Sequence, residues 1–157
     1  MYLIIGKNGL LGRELCLRFD REKIPYLATG SHELDITDKV AVDAYFSRHK
    51  PQIIYLCAGY TAVEKAEQEE RHLAEQVNAV GTENIAQAAE NVGALLLYVS
   101  TDYVFSGNLE LGKEWEVDDV PHPQTHYGYT QLLGENAVQK NTTKPYILRT
   151  SWLFGCY

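Results

Sequence analysis

Two stretches of the chain carry the residue types needed to move a proton onto a carbonyl oxygen. Ser100-Thr101-Asp102-Tyr103-Val104-Phe105 follows the apolar run Leu95 to Val99, so a hydroxyl side chain stands at the C-terminal end of a predicted strand. Further on, Tyr127 opens a predicted helix in Tyr127-Gly128-Tyr129-Thr130-Gln131. A tyrosine beside a carbonyl can donate a proton as hydride arrives from a reduced nicotinamide, while a nearby Ser or Thr hydroxyl orients the oxygen. Gln131, four residues on, shares the helix face of Tyr127, where an assisting group would sit.

That chemistry needs a hydride carrier, and the N-terminus offers a place to hold one. Gly6-Lys7-Asn8-Gly9-Leu10-Leu11-Gly12 follows the first predicted strand directly and opens a helix. Such a turn must be tight, bring backbone N–H groups against a pyrophosphate, and let the helix pack closely on the sheet. The plainer reading is a glycine-rich turn kept for packing. Selectivity between cofactors is less sharply written. Thr29-Gly30-Ser31, at the end of the second strand, lacks the carboxylate that favours the free ribose hydroxyls of NAD. The gap leaves room for a 2′-phosphate and tilts the expectation toward NADPH over NADH, although no arginine stands there to hold it. Asp35 and Ile36 are placed to line the adenine side.

The elements that must position these groups alternate between short β-rich runs and helical patterns, the signature of a parallel sheet with crossover helices. Strands are predicted at Tyr2 to Ile5, Tyr26 to Ala28, Ile53 to Cys57, Leu95 to Val99 and Tyr146 to Thr150. Helices are predicted from about Leu11 to Arg21, Val40 to Arg48 behind an Asp38 cap, and Tyr127 to Val138. A longer helical region, Ala62 to Asn91, is expected to break near Glu70. The fold class is therefore α/β, a Rossmann-like doubly wound parallel sheet of five or six strands with helices on both faces. Ligands of such sheets bind outside the C-terminal strand ends, near a topological switch point. Every candidate above follows a strand.

Bulk properties narrow the classes further. With 157 residues the chain fits one domain, able to bury roughly 70% of its unfolded surface. Its 45% hydrophobic and 22% charged content is far from the disordered regime. A net charge of −7 without a basic stripe argues against a nucleic-acid partner, but not against a phosphate ligand held at a helix N-terminus. No apolar run is long enough to span a membrane, and the opening residues lack a signal-like pattern. Cys16, Cys57 and Cys156 are odd in number and widely spaced, the histidines are scattered, and no metal spacing appears. A reducing cytoplasm is the natural setting.

Over its whole length the chain resembles the dTDP-4-dehydrorhamnose reductases, a branch of the extended short-chain dehydrogenases/reductases. The resemblance rests on the glycine turn, Leu34-Asp35-Ile36-Thr37-Asp38 and Ala58-Gly59-Tyr60-Thr61-Ala62-Val63-Glu64-Lys65-Ala66-Glu67. It also rests on Val77-Asn78-Ala79-Val80-Gly81-Thr82-Glu83-Asn84, the Ser100 to Phe105 stretch and Leu148-Arg149-Thr150-Ser151-Trp152. It implies Thr101 as the orienting hydroxyl and Tyr127 as proton donor, with Gly6, Gly9 and Gly12 on the pyrophosphate and Asn8, Leu10 and Leu11 also against the cofactor. Ala58, Gly59 and Tyr60 would lie beside the central and nicotinamide-ribose parts of NADPH or NADH. The implied substrate is a nucleotide-linked 4-keto sugar, dTDP-4-dehydro-L-rhamnose, reduced to dTDP-L-rhamnose for cell-surface polysaccharide. A homodimer is a further expectation.

The pattern breaks in two places. Where the family has lysine this chain has Gln131, which can hydrogen-bond the ribose but supplies no charge to favour tyrosine ionisation. The family also continues past the Arg-Thr-Ser-Trp strand into a smaller lobe that grips the nucleotide sugar. The resemblance therefore implies a single NAD(P)-binding domain over 1–157 with that lobe absent, either an N-terminal fragment or a short, degenerate paralogue. Turnover by the chain alone is not expected. A non-catalytic dinucleotide-binding subunit is the alternative, as in the methionine adenosyltransferase regulatory subunit, which is similar to the same reductases.

Overall fold

The computed structural model describes residues 1–155; Cys156 lies outside the described residues. Five strands, β1 (Tyr2–Ile5), β2 (Tyr26–Thr29), β3 (Ile53–Leu56), β4 (Leu95–Thr101) and β5 (Tyr146–Thr150), form one parallel sheet in the order β2-β1-β3-β4-β5. The chain runs outward from β1 to β2, crosses back, and continues the other way from β3. The switch point thus lies between β1 and β3. The strands are short apolar runs because a parallel sheet is covered on both faces and has no solvent side to alternate toward.

Right-handed crossovers in opposite directions send helices to opposite faces. Helix α1 (Leu10–Glu22) covers one face, where Phe19 stands edge-on to Tyr2, Tyr26 and Tyr55. On the other face pack α2 (Lys39–His49), α5 (Thr82–Asn91) and α6 (His126–Asn141). Between them and the sheet sits the main core, which includes Leu3, Ile5, Phe46, Leu56, Ile85, Leu96 and Val138. Burial of each large side chain there stabilises the fold by roughly 1.5–3 kcal/mol. The Asp38 cap is formed, its carboxylate accepting from Ala41 N at 3.0 Å.

The predicted break near Glu70 is present. Helix α3 (Val63–Ala66) ends before it and α4 (Arg71–Glu75) begins after it. Beyond α4 a π-helical turn, Gln76–Gly81, inserts an irregularity ahead of α5 that helical periodicity in the sequence does not reveal. A second small cluster packs Tyr127 with Ala66, Ala74, Tyr60 and Val63, away from the main core. Trp152 and Phe154, beyond the last strand, are 91% and 92% exposed. No helix among the described residues is long and apolar enough to cross a membrane.

Candidate functional site

The glycine turn after β1 is built by close backbone approaches that exclude side chains. Gly6 has φ +95°, and a Cβ there would lie 2.5 Å from Ala58 N, at the end of β3. A Cβ on Gly12 would lie 2.1 Å from Gly6 O, so the first turn of α1 sits directly on the loop. The loop is tied to β2 by Gly6 N and Lys7 N, which both donate to Thr29 O. Gly9 is the N-cap of α1; no side chain caps the helix and no acid occupies its first turn. The N–H groups of that turn are consequently available to an anion, which the helix dipole also favours.

Beside this turn lies a cleft of about 250 Å³ at the switch point. Gly6, Asn8, Gly9, Asp35, Ile36, Ala58 and Gly59 line it, seven of the positions singled out in the sequence. Leu10, Leu11 and Gly12 form the helix start behind it. Asp35 folds into a local turn, accepting from Thr37 N and Oγ1, and Ile36 is buried against Gly81. Asn84 on α5 holds this loop by donating to Ile36 O at 3.0 Å. Cys57 also faces the cleft, and burial pushes its thiol up to about 12. It is half-buried rather than fully enclosed, as is Cys16.

At the end of β2 the structure corrects one expectation. A carboxylate does stand there, brought from Glu33 by the turn that follows. Glu33 accepts from Gly30 N at 2.8 Å and from Lys7 Nζ at 2.6 Å, and these bonds, that of Lys7 foremost, hold its carboxyl below the usual range. The sequence hides this acid because it lies three residues past the strand and returns through the chain reversal.

Thr101, Tyr127 and Gln131 meet at the C-terminal end of β4. Tyr127 is 9% exposed and Gln131 5%. Burial raises the Tyr127 phenol above its ordinary value, and hydrogen bonding from the Thr101 and Gln131 side chains offsets part of that rise. Tyr103 stands edge-on to Tyr127, ring centres 5.6 Å apart. Phe105 is buried beneath Trp115, stacked at 4.8 Å. Asp102 accepts from Thr101 Oγ1 at 3.2 Å, a local contact at the end of the strand.

The two halves of the site touch at the end of β3. A Cβ on Gly59 would sit 3.6 Å from Gln131 Nε2 and 3.5 Å from Asn78 Oδ1, so Gly59 joins the cleft to the tyrosine cluster. Asn78, on the π turn, clamps Tyr60 through both backbone groups: Oδ1 accepts from Tyr60 N at 2.7 Å and Nδ2 donates to Tyr60 O at 3.1 Å. Nδ2 also donates to Thr130 Oγ1 at 3.0 Å, one residue from Gln131. Burial, together with the hydrogen bond its hydroxyl makes to Glu70, lifts the Tyr60 phenol to about 12.

Several supports escaped the sequence reading. Glu67 caps α6 from a distant segment, accepting from His126 N at 2.6 Å and Tyr127 N at 3.3 Å. His126, one residue ahead of the predicted helix start, is the buried first residue of α6. Arg71 donates to its Nδ1 at 2.9 Å, and its Nε2 faces Glu75 at 3.2 Å. Glu135, 1% exposed, pairs with Arg149 through bonds of 2.9 and 2.7 Å and accepts from Ser100 Oγ at 2.6 Å, fixing α6 to β4 and β5. Among the described residues no cluster of three His, Cys, Asp or Glu side chains could hold a metal ion.

Fold and cleft together define a doubly wound α/β domain with a glycine turn at its switch-point cleft and a tyrosine–threonine pair beside it. The chain belongs to the dTDP-4-dehydrorhamnose reductase family: the family model described as the RmlD substrate binding domain matches residues 1–157. It is 43% identical over 155 residues to the dTDP-4-dehydrorhamnose reductase of Streptomyces griseus, covering 98% of this chain and 50% of that protein. A crystal structure of the Bacillus anthracis reductase in complex with NADP aligns with TM-score 0.94 and 39% identity, covering 99% of this chain and 54% of that one. Methionine adenosyltransferase 2 subunit beta of Xenopus laevis is 37% identical over 160 residues, covering 98% of this chain and 47% of that protein. The chain spans about half the length of the curated relatives it matches.

Proposed function

We propose that residues 1–157 form the NAD(P)-binding domain of a reductase acting on a nucleotide-linked 4-keto sugar, taking dTDP-4-dehydro-L-rhamnose to dTDP-L-rhamnose. The observation that carries this reading is the contact at Gly59, which puts the Tyr127–Gln131 helix face against a cleft whose glycine turn has room for a pyrophosphate. The residues fit the cofactor: Gly6 and Gly12 let the loop, the end of β3 and the start of α1 close on one another, Gly9 lines the cleft, and the uncapped start of α1 offers N–H donors from Leu10, Leu11 and Gly12. Asn8, Asp35 and Ile36 would flank the adenosine, and Ala58, Gly59 and Tyr60 the nicotinamide ribose. When bound, a reduced nicotinamide supplies hydride to the carbonyl carbon.

Tyr127 would give its proton to the carbonyl oxygen, which Thr101 orients. Gln131 would hydrogen-bond the phenol oxygen without adding charge, so the phenol stays protonated at neutral pH. Lys7 and Glu33 would meet the adenosine ribose, Lys7 offering a cation to a 2′-phosphate and Glu33 an acceptor to free hydroxyls. NADPH is the expected tighter ligand, because a phosphate dianion can replace Glu33 as the partner of Lys7. Residues 1–157 would supply the cofactor side of the site, and turnover would need further residues that grip the sugar.

The test is calorimetric titration with NADPH and then NADH, followed by an assay for nucleotide-sugar reduction. Saturable binding without turnover is expected. Turnover matching a full-length reductase would refute the claim that further residues are needed, and a folded chain binding neither dinucleotide would refute the cofactor reading. One observation favours the second reading, a non-catalytic dinucleotide-binding subunit: position 131 supplies no charge to the tyrosine. If joining the C-terminal half of a reductase restores binding of the sugar but not its reduction, that reading prevails.

A further inference from the structure

Gln131 replaces a cation with an amide, and an amide has two ends of opposite character. With Nε2 toward Tyr127, it donates to the phenol oxygen and leaves the phenol proton free to move. With Oε1 there instead, it would accept that proton and hold it. The chemistry of this site therefore depends on which way the Gln131 amide faces, and a buried amide is oriented only by its partners.

The partner is Tyr98 on β4. This side chain is 2% exposed, and its hydroxyl donates to Gln131 Oε1 at 2.5 Å; Gln131 main-chain O is 3.5 Å away, and the Thr82 side chain also meets this hydroxyl. With Oε1 taken, Nε2 is turned toward Gly59 at the end of β3. Space for the Tyr98 hydroxyl is kept by Gly134, one turn along α6, where a Cβ would lie 2.4 Å from that oxygen. The same absent Cβ would lie 2.5 Å from Asn78 O, so Gly134 also lets α6 rest on the π turn. Tyr98, Gln131 and Gly134 thus form one fitted unit behind the site.

We infer that Tyr98 is a positioning residue whose hydroxyl fixes the Gln131 amide with its N–H groups toward Tyr127 and the cofactor-binding end of β3. The inference rests on the proposed function for its consequence, but the orientation itself can be measured without any ligand. A Cβ on Gly59 would lie 3.5 Å from Asn78 Oδ1 and 3.6 Å from Gln131 Nε2, so the hydrogen in its place is close enough for the Gln131 side-chain amide protons to show a nuclear Overhauser contact to Gly59 Hα in the uncomplexed protein. Tyr98→Phe should abolish or strongly weaken that contact while the remaining amide spectrum is preserved. An undiminished contact in Tyr98→Phe, or none in the wild type, overturns the inference.

NADPH titration supplies the second arm. Loss of one neutral hydrogen bond predicts that Tyr98→Phe weakens NADPH binding about fivefold with Gln131 present. In a Gln131→Lys background, where the side chain has no second end to misplace, Tyr98→Phe should change affinity by less than about twofold. Equal losses in both backgrounds would assign Tyr98 a purely structural role and refute the inference. If Tyr98→Phe fails to fold, Gln131→Met is the substitute: it removes both ends of the amide, should weaken NADPH binding about as much as the misoriented amide, and unchanged affinity would refute the inference. Absence of NADPH binding by folded wild type would refute the proposed function instead, and the Gly59 contact would still decide the orientation.

Discussion

Substituting the glycines of the phosphate turn should separate folding from binding, because the same residue type serves two purposes there. In Gly12→Ala the new methyl would lie 2.1 Å from Gly6 O and 2.7 Å from Gly6 C. Both are backbone atoms of a loop pinned to Thr29, so α1 and the loop must part by about 1 Å. Overpacking of this kind costs roughly 1–3 kcal/mol. It is opposed by a helix-propensity gain of about 1 kcal/mol for alanine over glycine. Because the clash is with pinned backbone the cost lies at the upper end, about 2–3 kcal/mol, so a net loss of about 1–2 kcal/mol is expected, lowering Tm by roughly 2–8 °C for a chain of this size. Gly9→Ala is the contrast. Gly9 has φ −77°, and its nearest neighbour to an added Cβ is Gly6 O at an ordinary 3.4 Å. Stability should stay within about 0.5 kcal/mol, while a methyl on the face open to the cleft should weaken NADPH binding about tenfold. Thermal melts and calorimetry on the two variants read both quantities. A Gly12→Ala protein as stable as wild type would refute the packing argument. Wild-type NADPH affinity in Gly9→Ala would refute the assignment of this turn to phosphate.

Three further outcomes follow from the supports around the site. Asn78→Ala strands the buried backbone groups of Tyr60 and should cost roughly 1–3 kcal/mol, with urea unfolding as the measure; a loss below 0.5 kcal/mol would show that water replaces the clamp. Arg149→Met leaves Glu135 without its ion partner and should cost about 3 kcal/mol, much of it recovered in Arg149→Met with Glu135→Gln, since breaking a buried pair costs more than deleting it; additive losses would contradict this. Tyr98 and Tyr127 have phenols raised by burial, so the stability they confer is complete below the unfolded tyrosine value near 10 and declines as pH climbs toward their folded values. Melting temperature should therefore begin to fall near pH 10 and go on falling above it, and Tyr98→Phe should flatten the fall; an unchanged slope would show that other groups govern it.

Sequence alone determined the parts whose causes are local. Consecutive apolar strands, a glycine turn directly after the first, the Asp38 cap and the break near Glu70 are each dictated by nearby residue types, and all appear where the pattern puts them. The cleft residues Gly6, Asn8, Gly9, Ala58 and Gly59 were legible for the same reason: they follow strand ends, and parallel topology brings strand ends together. Tertiary structure decided the parts that depend on groups far apart in the chain. Glu33 returns to Lys7, Glu67 caps a helix that begins at His126, Asn78 reaches Tyr60 from a π turn, and Tyr98 orients the amide of Gln131. None of these has a periodicity or spacing of its own. A hydrogen bond is directional and ends within about 3.2 Å, so its existence is settled only when packing fixes where two distant segments lie.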